Sequence, residues 1–275
     1  MKKTILLSLV VTSLVTGANT VNNLTLQQKN EITTTSTIDS SEVHQGINLI
    51  LGASDVDNVT IKQDGTNNGN LIENSDIIGT EIVIQGGVQI SNSSVNELQL
   101  TSENRIKNVE LLNSEVYQGV FIIDDSNTTD TNADQTEVKS INIIEQSTAD
   151  TAIDINATEI RQSVIQLTTG AKTDNLEIQH LNKITEFSVE DGAVYQGILN
   201  VDDSEVDTLY VSDEDGAYNK NTVNNSIMEG GSILQSSIDI SNQAIVQTLR
   251  SKSTNNIDGV ILISSEISQS ETTIN

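Results

Sequence analysis

The sequence contains no Cys, no Pro and no Trp. Without Cys there is no disulfide framework, even in an oxidising compartment. Aromatic residues are nearly missing too, with four Tyr and two Phe in 275 residues. Phe, Tyr and Trp supply much of the buried area of a conventional globular core, so such a core is not expected. The same shortage leaves little from which to build a sugar-binding platform. Cations are scarce: 13 Lys and Arg stand against 39 Asp and Glu, a formal net charge of −26. That excess disfavours nucleic acid and anionic membrane as partners. Beyond the first residues no apolar run approaches the length of about 18 needed for a spanning helix.

What the chain does have is Ile, Val and Thr throughout, with abundant Ser, Asn and Asp. β-branched residues favour strands, and the short polar residues favour turns. Residues 1–18 have the form of an export signal, with Lys2 and Lys3 followed by the apolar run "ILLSLVVTSLV" and the small-residue site "TGA". A mature chain starting near Asn19 is expected, extracellular or at the cell surface. Loss of Lys2 and Lys3 takes its charge from −26 to −28.

The chain repeats. "LLNSEVYQGVF" at 111–121 returns as "VEDGAVYQGIL" at 189–199 and more loosely as "IDSSEVHQGIN" at 38–48. With the Gln as reference, the column reads Gln45, Gly79, Gln118, Gln162, Gln196, Gln235 and Gln269, in steps of 34, 39, 44, 34, 39 and 34. The base period is therefore 34. Two positions earlier every row has Val or Ile, and seven positions earlier every row is apolar. The position after the Gln is Gly, Ser or Thr. Inside each repeat lie shorter modules such as "VDNVTI" (56–61), "VNELQL" (95–100) and "VKSINI" (138–143), whose alternation is strand-like.

These columns point to an all-β fold, a parallel β-solenoid (β-helix) of about seven repeats of base period 34 with three short strands each. Turns stack about 4.8 Å apart, so each column becomes a line of like residues. Gln45, Gln118, Gln162, Gln196, Gln235 and Gln269 then form a structural ladder, because a buried amide is tolerable only when it bonds its neighbours. A shorter turn built of two modules is the rival geometry. The expected layout is a signal at 1–18, an N-terminal arm or leading strand at 19–35, and a single solenoid domain over 36–275. Extra length is expected in corner loops at 84–92, 124–137 and 212–221.

The Gln column and "VTIKQDGTNNGN" at 59–70 resemble the secreted fibre subunits of functional amyloids of the curlin and Fap type. Curlin repeats are shorter, and Fap-type subunits carry long linkers and a Cys pair that this chain lacks. "IKNVELLNSEVYQG" at 106–119 resembles a turn of the parallel β-helices of adhesins and polysaccharide lyases. Either resemblance implies an extracellular fibre or adhesin and carries no functional residue.

Little in the sequence suggests chemistry. His44 and His180 are the only histidines, and His44 shares its column with Tyr117, Arg161 and Tyr195, as an exposed strand residue would. No G-x-S-x-G occurs. Asp124, Asp125, Asp202, Asp203, Asp213 and Asp215 are acidic loop candidates for weak Ca²⁺ sites, though none matches a calcium-loop motif. No catalysis and no cofactor are expected. The last repeat stops just past its Gln, and the leading segment has strand-like stretches without a repeat of its own. A head-to-tail homopolymer is expected, with Leu24, Leu26 and Ile32 meeting Leu262, Ile267 and Ile274 of a neighbour. Other extracellular matrix or surface components are further partners, and a monomeric adhesin or cell-surface binding module is the alternative.

Overall fold

The computed structural model describes residues 11–16, 20–22, 25–33, 36–39, 42–52, 55–63, 69–78, 82–124, 126–129, 136–145, 153–156, 158–211 and 220–274. Among them the structure is all-β, without a helix, and every strand pairing is parallel. The strands form three sheets of 8, 13 and 7 strands. The chain visits the sheets in rotation. From Glu115–Asp124 in the first sheet it passes to Asn127–Thr129 and Thr136–Glu145 in the second. It then crosses Ile153–Asn156 in the third and returns to the first at Glu159–Thr168. Each visit lies beside the previous one, an arrangement consistent with a β-solenoid.

Register is held by like columns. Val43, Val83, Val116, Ile160, Val194, Ile233 and Ile267 are successive partners in the first sheet. Ile38, Ile77, Leu111, Ile155, Val189, Met228 and Leu262 play the same part in the third. A slip of one residue would turn every such side chain to the opposite face.

The Q-G pair bends the strands of the first sheet. In Glu115–Asp124, Val116 and Gln118 face inward, and so do Phe121 and Ile123. Simple alternation would put Phe121 outside. Gly119, at φ 67°, takes the extra step that restores the inward face. All seven residues of this column are left-handed: Gly46, Gly86, Gly119, Ser163, Gly197, Ser236 and Ser270 have φ between 57° and 69°. The column is small because glycine takes that conformation without penalty.

The bend divides the core. One apolar cluster includes Ile50, Ile90, Phe121, Ile123, Leu167 and Val201 with Leu98 and Leu176 of the second sheet. The other includes Val43, Val83, Val116, Ile160 and Val194 with Ile106, Ile144, Leu111 and Val189. Aliphatic side chains fill both, and among the described residues Phe121 and Phe187 are the largest that are fully buried. Between the clusters lies a polar partition made of the Gln column, the Gly/Ser column and buried Asn, Ser and His from the second sheet.

Several sequence-based placements need correction. The second Gln rung is Gln85, not Gly79, which lies outside the described residues; Gln85 pairs with both Gln45 and Gln118. The constant period misplaced it because Gln63 and Asn70 are separated by five residues more than their partners Ser102 and Asn104. The segment 84–92, expected as a loop, belongs to the strand Ile82–Ser91 and its end. The corner loops at 124–137 and 212–221 are interrupted by the strand Asn127–Thr129 and end on strands that begin at Thr136 and Lys220; their residues 125, 130–135 and 212–219 are outside the described set. Within 19–35, an expected arm or leading strand, the described strands stack on their own chain. Thr25–Gln27 and Lys29–Ile32 lie on Asp55–Gln63 and Gly69–Glu73. Val11–Thr16, inside the expected export signal, is a strand alongside Glu42–Leu51.

Candidate functional site

The polar partition carries two continuous ladders of amides. In the first, Nε2 of Gln85, Gln118, Gln162, Gln196 and Gln235 each donates to Oε1 of the preceding rung at 2.8 Å, and Gln269 donates to Gln235 at 2.7 Å. The second N–H of some rungs goes to a main-chain carbonyl of the second sheet, as from Gln85 to Arg105 at 3.3 Å. The second ladder is formed by Asn30, Asn70, Asn104, Asn142, Asn182, Asn221 and Asn255. Each Nδ2 donates to Oδ1 of the following rung at 2.8 Å. The Gln amides therefore donate toward the N-terminal end of the stack and the Asn amides toward the C-terminal end. The two rows of dipoles oppose one another across a partition whose interior rungs are buried.

The Asn column escaped sequence reading, yet its signal is there: every rung begins an N-x-Ile or N-x-Val triplet, from "NEI" at 30–32 to "NNI" at 255–257. Between the ladders sits the left-handed column. Where it is Gly, it leaves room for the Asn; a Cβ on Gly86 would lie 2.5 Å from Asn104 Oδ1. Where it is Ser, the hydroxyl joins the network. Asn142 donates to Ser163 Oγ, and Ser163 donates to Asn182 Oδ1, each at 2.9 Å. His180 shares this partition. Burial lowers its pKa to about 4, so the imidazole is neutral near pH 7.

The ladders stop in a layer whose core face is open. Met228, Ile233 and Ile240 are 0%, 1% and 7% exposed, but their partners one layer on, Leu262, Ile267 and Ile274, are 40%, 37% and 70% exposed. Gln269 is exposed, whereas Gln235 is buried. At the other end, Leu26 and Ile32 are half-buried and cover Ile61 and Ile72 of their own chain. Leu24 lies outside the described residues. The apolar residues expected at an interface thus form two groups at opposite ends of the stack.

The described acidic candidates, Asp124, Asp202 and Asp203, do not converge. Asp124 accepts a bond from Thr168 at 3.1 Å, and Asp202 accepts from Ser241 at 3.1 Å and from Asn242 at 2.6 Å. Those carboxylates hold corners between successive strands. Asp203 is exposed, and Asp125, Asp213 and Asp215 lie outside the described residues. Among the described residues no three His, Asp or Glu side chains are grouped as a metal site. His44 pairs with Glu42 at 3.2 Å. On the outer surface the Arg161 guanidinium lies 5.6 Å from the ring of Tyr117 and 5.2 Å from that of Tyr195. Arg161 also bonds Glu159, and Tyr117 donates to Glu115 at 3.0 Å.

Among the described residues no helix is long and apolar enough to cross a membrane. No protein-family model matches the sequence, and no curated protein and no solved structure matches it.

Proposed function

We propose that the chain is a secreted structural protein, a parallel β-solenoid of seven turns that stacks end to end into an extracellular fibre. Residues 1–18 direct its export, and no reaction is assigned to it. One observation carries the reading: the apolar columns buried through the stack become exposed together at Leu262, Ile267 and Ile274. Covering each fully contributes about 1.5–3 kcal/mol.

The ladders support a second copy as the cover. At the C-terminal end Gln269 offers a carbonyl oxygen and Asn255 offers an N–H, now directed to Ser270 Oγ at 2.9 Å. At the N-terminal end Gln45 donates to Leu71 O at 3.3 Å and retains a second N–H, while Asn30 offers its Oδ1. Both ladders therefore continue across a head-to-tail junction with the correct polarity. The contact is heterologous, so it propagates instead of closing as a dimer.

Negative-stain microscopy of the chain starting at Asn19 tests the reading. Filaments that vanish in Ile267→Asp/Ile274→Asp are expected; both positions are exposed, so the interior should fold without them. Isolated rods at high concentration would favour the monomeric adhesin, whose outward Tyr117–Arg161–Tyr195 strip would then be the surface to test.

A further inference from the structure

The strand Val11–Thr16 occupies a place that the stack reserves for something else. It pairs with the N-terminal edge of Glu42–Leu51, with Ser13 opposite Asn48, Leu14 opposite Leu49 and Val15 opposite Ile50. Following the first sheet upward, Ile50, Ile90, Ile123, Leu167, Val201, Ile240 and Ile274 are successive partners. Val15 thus stands where the column would next hold an Ile274, and Ser13 and Leu14 stand where it would hold Thr272 and Thr273.

The substitution is incomplete. Val11–Thr16 makes five register pairs with a slip between Val11 and Ser13, and none of them reaches Glu42–Gln45. Glu266–Ile274 makes eight pairs on Ser232–Ser241, interrupted only at the left-handed residue, and it includes the Gln rung. The second and third sheets have no such overlay among the described residues: their strand orders end at Thr20–Asn22 and Ser36–Asp39 on this side. From residue 20 to residue 274 the chain passes seven times through each sheet. Val11–Thr16 alone is surplus to those passages.

We propose that Val11–Thr16 is a removable cap: it fills the edge of Glu42–Leu51 that a second copy's Glu266–Ile274 would pair with, and keeps the chain from stacking until residues 1–18 are removed. This inference rests on the end-to-end reading above and adds its regulation. A main-chain edge accepts one strand at a time, so the two occupants exclude each other. The shorter, slipped strand is the weaker occupant, as a temporary cover must be. The order of events follows: folding with the edge covered, leader removal, then growth.

The test compares the full 275-residue chain, purified uncleaved, with its Ser13→Pro/Leu14→Pro variant. Successive strand amides point to opposite sides, so one of two adjacent prolines removes a donor aimed at Glu42–Leu51. The chain starting at Asn19 is the reference for filament growth. The expected result is loss of filaments in the full chain and their return in the proline variant. In the unpolymerised full chain, hydrogen exchange should find the amides of Ile47–Leu51 that point toward Val11–Thr16 protected, and in freshly prepared variant monomers it should find them open, while the amides bonded to Ile82–Ser91 stay protected in both. If the full chain grows filaments as fast as the reference, the cap is wrong and the fibre stands. If the reference grows filaments but the proline variant does not, strand pairing is not the block and the cap is again wrong. If none of the three grows filaments, the end-to-end reading itself falls.

Discussion

Gly86 and Asn104 share one space: a Cβ on Gly86 would sit 2.5 Å from Asn104 Oδ1, and Gly86 has φ 67°. The residue that bends the first sheet is thus also the residue that makes room for the Asn ladder. Gly86→Val should be destabilising by about 3 kcal/mol or more, combining a left-handed β-branched residue with a steric clash. Gly86→Ser should cost clearly less, because Ser163 and Ser236 already hold this conformation and bond the Asn rungs. Thermal denaturation of the two variants gives the comparison, and equal losses would contradict this role for the column.

Gln118 donates to Gln85 and accepts from Gln162, each at 2.8 Å, with no exposure. Gln118→Leu leaves a donor and an acceptor on its neighbours without a rung between them. A loss of about 2–4 kcal/mol is expected, since each buried unsatisfied group costs about 1–3 kcal/mol. Val116→Asp, in the adjacent apolar column, should cost several kcal/mol by burying an unpaired charge. Denaturant midpoints measure both. A Gln118→Leu protein as stable as the parent would mean that the ladder contributes nothing beyond its own desolvation.

His180 makes stability depend on pH in a calculable direction. Its folded pKa of about 4 lies below the ordinary 6.5 because burial penalises the charged form. Below pH 6.5 the unfolded chain binds a proton that the folded chain does not, so stability falls as pH drops from about 6.5 to about 4. The effect is on the order of 3 kcal/mol. His180→Ser, which copies the residue at its strand partner Ser140, should remove this slope. The difference between parent and variant in denaturation free energy across about pH 4–7 isolates it from the titration of the surface carboxylates.

Growth should respond to salt and to one surface charge. At a head-to-tail junction Glu266 would lie over Glu42, both exposed, in a chain whose formal net charge is −26. Salt screens such repulsion within about 10 Å at 0.1 M, so filament growth should accelerate with ionic strength. Glu266→Lys should accelerate growth at low salt and flatten the salt dependence. Light scattering across a salt series reads both. Acceleration by Ca²⁺ at matched ionic strength would instead point to specific acidic sites.

The columns are legible in the sequence because parallel stacking sets like residues upon like, as Val43, Val116 and Val194 show. Constant-period counting fails at Gly79 because extra residues at a corner do not disturb the stack but do shift the count. The N-x-Ile triplets are open to the same counting and escape it because their strands vary around them. That Gly119 is a bend, and not merely a small residue, depends on a backbone angle that no column displays. "QGG" at 85–87 suggests a turn for the same reason, although it lies within a strand. The leading segment lacks the V-x-Q-G signature, and only its "NEI" triplet at 30–32 marks it as part of the chain's own stack.

The axial repeat of filaments grown from the chain starting at Asn19 decides whether copies stack end to end. Seven stacked turns at about 4.8 Å each give a subunit repeat of roughly 34 Å, with strands perpendicular to the filament axis. Fibre diffraction should show a meridional reflection near about 4.8 Å, and images should show the subunit repeat. Filaments with strands across the axis and that repeat are the result predicted by ladders that run on from one copy into the next. Isolated rods, or filaments whose repeat bears no relation to seven turns, would contradict it.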